Sequence, residues 1–373
     1  MPENTTETLL YNIALTLLPG IGIANARKLI ALTGGAKELF TAKKAELQRL
    51  NGLKEQAIDS IINSKSLLRR AEDECKFIES SGIRAYFFAD DDYPVRLKQC
   101  TDSPIIIYTK GNADLNAQYI ISMVGTRKAT DYGKEVCHSL VTGLSSLGVL
   151  VVSGLAYGID TAAHRNALDA GLSTVGVLAH GLDRIYPEIN TTLANRMLEQ
   201  GGLVTEFMSN TNPDSQNFPK RNRIIAGLSD ATIVVEAGPR GGALITADIA
   251  NSYNRDVFAV PGRVSDLYST GCTNLIKTNR AALVEKPEDI IYIMGWDKEK
   301  KQREPAQPKL FIQLEPEQEL IYKILRHEGE CSIDKLCAES KMNAGKIATA
   351  LLNLEFEGLV TSLPGKMYRL HLQ

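Results

Sequence analysis

Five short apolar runs of the chain end on glycine, most of them beside hydroxyls or arginines: Gly125-Thr126-Arg127, Ser153-Gly154, His180-Gly181, Gly238-Pro239-Arg240-Gly241-Gly242 and Pro261-Gly262-Arg263. Glycine lets a backbone N–H approach an anion closely. Thr126 and Ser153 add hydroxyls, and Arg127, Arg240 and Arg263 add positive charge. The chemistry this suggests is the holding of a phosphate where strands turn into helices. Such glycines also serve plain βα turns, but five of them, three with an arginine, favour the anion. A second cluster stands in "FPKRNRIIAGLSDATIVVEA", where Lys220, Arg221, Asn222 and Arg223 read as a loop entering an apolar helix. Cations at a helix start oppose its dipole, so an anion is expected to compensate them. The planar fork of arginine grips two phosphate oxygens at once.

Catalytic patterns are missing. There is no G-x-x-x-x-G-K-[ST] loop and no G-x-S-x-G elbow. Gly20-Ile21-Gly22 follows a helical pattern rather than a strand, and position 25 is Asn, so it is not a dinucleotide fingerprint. Asp160 and His164 lie four apart on one helix. A helix-start role for Asp160 and local packing for His164 are the better reading than an acid–base pair. The six cysteines form no C-x-x-C pair, and the five histidines lack metal spacing. Neither metal nor cofactor is expected. The turn Leu18-Pro19-Gly20-Ile21-Gly22 followed by Ala26 fits a helix-hairpin-helix, whose turn N–H groups touch a DNA phosphate without reading bases. An ordinary helical hairpin has the same spacing, so Gly20, Ile21 and Gly22 stand as an accessory contact.

These residues need elements to position them. Residues 1–72 read as helices with short breaks, and a second helix pair is expected to break at Asn51-Gly52. From Tyr119 onward, "YIISMVG", "GVLVVSG", "STVGVLA", "GLVTEF", "ATIVVEA" and "DVFAVPG" alternate with helix-length segments. That rhythm gives a Rossmann-like, doubly wound α/β domain with a mostly parallel sheet, over residues 73–296. Residues 297–310 are charged, contain two prolines and read as a linker. Residues 311–373 show three helices and a Pro-Gly hairpin, the winged-helix plan. A net charge of −2 gives no global signal for nucleic acid. No apolar run approaches a membrane span, and the N-terminus lacks signal-peptide character. A cytoplasmic protein is expected.

The ordered motifs "MVGTRKATDYG", "VVSGLAYGIDTAAHRNAL", "GLDRIYPEIN", "FPKRNRIIAGLSDATIVVEA", "ALITADIA" and "RDVFAVPG" resemble those of the DNA-processing protein A family (DprA, also called Smf). The resemblance spans about Asp92 to Glu285. It implies a homodimer that binds single-stranded DNA and loads the RecA recombinase on incoming strands, notably in natural transformation, with no enzymatic activity. By position it implies a DNA pocket of Gly125, Thr126, Arg127, Ser153, Gly154, Arg221, Asn222, Arg223 and the Gly241-Gly242 turn. Two departures stand out: Gly241-Gly242-Ala243 replaces the family's Ser-Gly-Ser, and "LIKTNRAAL" lacks a usual Gly-Ala pair.

Two other functions compete. A nucleoside-monophosphate phosphoribohydrolase has a similar sheet but needs a glutamate just after the glycine turn, whereas here the nearest acid is Asp248. A winged-helix regulator of duplex DNA needs a basic recognition helix, but "NAGKIATALLNLEFEGL" has one lysine and two glutamates.

Overall fold

The structure is a computed structural model and describes residues 3–50, 53–296, 314–363 and 367–370. The chain divides into two compact units, Met1–Gly295 and Trp296–Gln373. Among the described residues no helix is long and apolar enough to cross a membrane.

The first unit begins with six helices: α1 (Glu3–Thr16), α2 (Ile23–Thr33), α3 (Ala36–Thr41), α4 (Lys44–Leu47), α5 (Glu55–Ile62) and α6 (Lys65–Ser80). The expected break at Asn51-Gly52 lies outside the described residues. Helical spacing places Leu15, Leu18, Ala26, Leu29, Leu39 and Ile61 in one core, which continues into Phe87 and Ile105. On the inner face of α6, Ala71, Cys75 and Ile78 pack with Ile106 and Tyr108. The almost fully buried Glu74 carboxylate accepts from the Ser209 N–H (2.9 Å) and hydroxyl (2.5 Å). Arg70 donates to Glu74 at 2.8 Å and to the Ser209 carbonyl at 2.6 Å. These bonds tie the N-terminal helices to the sheet.

The sheet has nine strands: β1 (Arg84–Phe87), β2 (Ile106–Gly111), β3 (Ile120–Val124), β4 (Leu150–Ser153), β5 (Thr174–Val177), β6 (Gly201–Thr205), β7 (Ala231–Val234), β8 (Asp256–Ala259) and β9 (Ala282–Leu283). Their order is β1-β2-β6-β5-β4-β3-β7-β8-β9. The run from β6 to β9 is parallel, while β1 and β2 add antiparallel at one side. Strands β3, β4, β5 and β7 are buried along their whole length, because helices cover both faces. Those helices are α8 (Asp131–Gly143), α9 (Ile159–Asp169), α10 (Thr191–Glu199), α11 (Asn217–Leu228), α12 (Gly242–Ser252) and α13 (Thr270–Lys277). Short helices precede and follow them in the chain, α7 (Val95–Lys98) and α14 (Pro287–Ile293). The chain steps from β3 outward to β6, then α11 carries it back to β7 on the other side of β3. This reversal leaves a crevice beyond the carboxyl ends of β3 and β7, where open α/β sheets bind ligands.

In the second unit, helices Pro316–Glu328, Ile333–Ser340 and Ala344–Phe356 surround Ile321, Leu325, Leu336, Ile347 and Leu354. The hairpin Val360–Leu363 and Met367–Leu370 follows as expected, and Glu330–Ser332 adds a third antiparallel strand. Three residues carry too little alternation for the sequence to have announced that strand. The α/β class, the mostly parallel sheet, the N-terminal helices and the C-terminal winged helix are those the sequence implied. The linker segment 297–310 lies outside the described residues.

Candidate nucleic-acid interface

The crevice at the switch point contains a cavity of about 400 Å³. Gly125, Thr126 and Arg127 line it from the end of β3, and Gly238, Arg240, Gly241 and Gly242 from the turn between β7 and α12. Arg221 and Asn222 enter from α11, and Asp160 from α9. The fold thus brings together seven of the residues expected from sequence: Gly125, Thr126, Arg127, Arg221, Asn222, Gly241 and Gly242.

The β3–α8 turn is fixed by Glu236, just beyond β7. Its buried carboxylate accepts from the Thr130 N–H at 2.9 Å and the Thr130 hydroxyl at 2.5 Å, and its carbonyl accepts from the Thr126 N–H at 2.8 Å. The Thr130 hydroxyl also caps α8, accepting from the Gly133 N–H. On the other side, Gly158 packs so tightly on the Thr126-Arg127 backbone that a side chain would collide with it, and its φ of +78° is one that L residues avoid. Arg127 is thereby held at the rim with its side chain exposed. The Thr126 hydroxyl accepts from the Lys128 N–H at 3.1 Å, inside its own turn.

The cationic cluster differs from the expected loop. Arg221, Asn222 and Arg223 lie within α11 and are all buried, while Lys220 is exposed and outside the cavity lining. Residues two apart on a helix point to opposite sides, so Arg221 and Arg223 diverge. Arg223 turns away, pairing with the Glu206 carboxylate and the Asp102 carbonyl, and does not line the cavity. Arg221 turns inward and donates to the carbonyls of Gly154 and Val177, the latter at 2.6 Å, and to the Asn222 side chain at 3.1 Å. Asn222 in turn donates to the Gly242 carbonyl at 3.3 Å.

Ser153 and Gly154 act differently from the reading that placed them directly on a phosphate. The Ser153 hydroxyl is buried and donates back into the sheet, to the Met123 carbonyl at 2.6 Å. The space above Gly154 is filled by the Arg221 guanidinium and the Asp160 carboxylate. Glycine is required there so that these two charges can pack on the backbone, and neither Ser153 nor Gly154 lines the cavity. Burial raises the Asp160 pKa, opposed by attraction to Arg221. Burial also lowers Arg221 to about 10, again opposed by Asp160.

His164 does not pair with Asp160. The Thr174 hydroxyl donates to the Val151 carbonyl at 2.8 Å, so it accepts from His164 Nδ1 at 2.7 Å, and His164 Nε2 has no partner. Burial, helped by Arg221, pushes this imidazole down to about 3. Asp248 pairs with Arg280 at 2.8 Å and stays outside the cavity lining. Asp160 is the one acid among the described residues of that lining.

Among the lining residues outside the sequence-derived site set are Arg240, Phe218 and Tyr268. Arg240 stood in the glycine turn already noted. Phe218 carries the Arg127 and Arg221 guanidiniums over its ring, at 5.5 and 5.8 Å from the centroid. Its place just before "PKRNR" was the available signal. Tyr268 comes from a distant turn and had none. Arg263 is exposed and outside the lining, and His180 is buried beyond β5. Gly20 and Gly22 are exposed at the α1–α2 turn, with Ile21 half-buried between them. The cysteines are free, and among the described residues no group of three or more His, Cys, Asp and Glu side chains could hold a metal.

Known proteins resemble this chain in sequence and fold. The family model described as DNA recombination-mediator protein A matches residues 84–295, and the DprA winged helix domain matches residues 302–366. A putative DNA processing protein DprA of Mycobacterium tuberculosis is 36% identical over 310 residues, covering 80% of this chain and 79% of its own. Protein Smf of Synechocystis is 31% identical over 394 residues, covering 96% and 98%. The crystal structure of DprA from Streptococcus pneumoniae superposes with a TM-score of 0.66 at 31% identity, over 76% of this chain and 97% of that one. DNA processing protein A from Helicobacter pylori, in a structure addressing its single-stranded DNA binding mode, gives 0.53 at 26% identity, over 58% and 96%.

Proposed function

Since the chain belongs to the DNA-processing protein A (DprA/Smf) family, we propose that it binds single-stranded DNA through phosphates held in the switch-point cavity. The observation that carries this reading is the convergence of Arg127, Arg221 and Arg240 with the N-terminus of α12 on one cavity of about 400 Å³. The first N–H groups of a helix have no intrahelical partner, and the dipole favours an anion there. The departure at Gly241-Gly242-Ala243 removes hydroxyls but leaves those backbone donors in place. Contacts to phosphate fix a strand without reading its sequence. The Helicobacter pylori relative, with its single-stranded DNA binding mode, supports the same choice of ligand.

Binding serves, in this proposal, to load RecA on incoming strands, with the protein acting as a cytoplasmic homodimer. No chemistry is done on the strand. Support for that comes from Asp160, which lies against Arg221, and from Asp248, which is engaged with Arg280. A hydrolase would need a free carboxylate at the glycine turn. Lys220 and the Gly20-Ile21-Gly22 turn are outer contacts in the same scheme.

The test is a titration of fluorescent oligonucleotides, single against double stranded, across a salt series. Preference for the single strand, with log K falling linearly with log salt, is expected. Equal affinity for duplex would overturn the reading. Release of free base from AMP would overturn the non-enzymatic part. Failure to speed RecA assembly on a bound strand would remove the loading step.

A further inference from the structure

The turn Asp102-Ser103, between α7 and β2, lies outside the cavity lining, yet three helices converge on it. From the N-terminal bundle, the Arg27 guanidinium on α2 donates to the Ser103 hydroxyl and, at 3.2 Å, to the Ser103 carbonyl. The same guanidinium sits over the Phe88 ring, 5.2 Å from its centroid. From α11, Arg223 donates to the Asp102 carbonyl. From the C-terminal end of α12, the Tyr253 hydroxyl donates to the Asp102 carboxylate. Ser103 is almost fully buried where these bonds meet. Helix α11 and the start of α12 are what bring Arg221, Asn222, Gly241 and Gly242 to the cavity.

A helix rotates as a rigid rod. Successive residues advance by about 100°, so Arg221 and Arg223 stand about 200° apart around α11. The bond that fixes Arg223 on one side therefore sets the rotation at which Arg221 enters the cavity on the other. A binding constellation must be held within about 10–20° by the bonds behind it. Arg27 is the tie between that turn and the N-terminal bundle. The bundle also holds the chain ahead of α11, where Arg70 on α6 donates to the Ser209 carbonyl at 2.6 Å. We propose that Arg27 is a positioning residue for strand binding, fixing α11 and α12 through the Asp102-Ser103 turn, an inference that rests on the cavity reading above. A side chain used in this way changes affinity without contributing a phosphate contact of its own.

The experiment measures oligo-dT affinity across a salt series for wild type, Arg27→Ala and Arg27→Lys, with Arg127→Ala as the marker of a lost phosphate contact. Arg27→Ala is expected to lose about 2- to 30-fold with the slope of log K against log salt unchanged, whereas Arg127→Ala flattens it. Lysine keeps the charge but lacks the planar guanidinium that sits on Phe88, so Arg27→Lys is expected to recover at most part of the loss. Amide hydrogen exchange gives a second reading on the unaltered chain. Coupling between sites is reciprocal, so saturating oligo-dT is expected to slow exchange in α11 and, through the turn, in α2. Arg27→Ala is expected to abolish the slowing in α2 alone. Unchanged affinity in Arg27→Ala, a slope flattened by about 0.7, full recovery in Arg27→Lys, or no slowing in α2 of wild type would each overturn the positioning role. Wild type that binds no oligo-dT, or binds it without slowing exchange in α11, would instead overturn the cavity reading itself.

Discussion

Arg127 and Arg221 face the same cavity from opposite physical situations. Arg127 is exposed and makes no bond on which the fold depends, so Arg127→Ala is expected to leave the melting temperature unchanged. Affinity for all strand sequences falls alike, and the slope of log K against log salt flattens by about 0.7 for each phosphate no longer neutralised. Arg221→Ala should act on both quantities. It strips the Gly154 and Val177 carbonyls of their donor, which costs about 1–3 kcal/mol for each acceptor left unpaired. Oligonucleotide titration and thermal melting of the two variants together separate these outcomes. His164 gives a pH signature at the same scale. Its imidazole is held near 3 in the folded chain, against about 6.5 when unfolded. Above pH 6.5 it is neutral in both states and contributes nothing to the pH dependence. Below 6.5 the unfolded chain takes up a proton that the folded chain refuses, so stability falls by roughly 1.4 kcal/mol per pH unit. Asp160 has the opposite sign, since burial raises its pKa and a raised carboxyl pKa favours the fold as pH drops, a contribution shared by wild type and a His164 variant. Between pH 7 and pH 5, His164→Gln is therefore expected to lose about 2 kcal/mol less than wild type. Urea unfolding at the two pH values, followed by circular dichroism, checks this.

Helix α12 is the element whose start lines the proposed anion site. At Gly242 an added methyl group would find open space, with the Asn222 amide nitrogen 3.6 Å away. Alanine there suits the helix at least as well as glycine, so Gly242→Ala is expected to keep or slightly raise the melting temperature. The same methyl projects where the phosphate would lie, so strand affinity should drop at least tenfold, about 1.4 kcal/mol. A variant that is stable and still binds as wild type would remove α12 from the site. Helix α11 shows why the cationic cluster misled as a loop. Its charged residues are spent in different directions, Arg221 inward to Gly154 and Arg223 toward Glu206, and each buried charge is compensated locally. A helix start can carry arginines when its neighbours supply carbonyls and carboxylates.

At the scale of the whole chain, the unit Met1–Gly295 contains the entire cavity. In the other unit, the helix Ala344–Phe356 has Lys346 paired with Glu317 at 2.7 Å and carries Glu355 near its end. That surface does not suit a phosphate backbone. Exposed Leu352 and Phe356 on the same helix suit a protein contact better. A chain ending at residue 296 is expected to bind oligo-dT within about tenfold of the full chain, as measured by fluorescence anisotropy. A larger loss in a truncated chain shown to be folded would bring the winged helix into strand binding.

The order of apolar runs and glycine turns in the sequence was enough to determine the doubly wound sheet and the edge on which a ligand would sit. Strand alternation and turn chemistry are local, and the carboxyl ends of parallel strands must share one edge. Gly125 to Arg127 and Gly241-Gly242 were legible for that reason. What each side chain does on that edge was decided by tertiary structure. Ser153 and Gly154 read as phosphate ligands, yet the Ser153 hydroxyl bonds back into the sheet and Gly154 supports Arg221, because only packing reveals that a guanidinium and a carboxylate fill the space above the glycine. Arg221 and Arg223 are equivalent in the string and opposite in the fold, since the direction of a helical side chain depends on how the helix is laid against the sheet. Phe218 and Tyr268 reach the cavity from segments fifty residues apart, a meeting that no local pattern encodes.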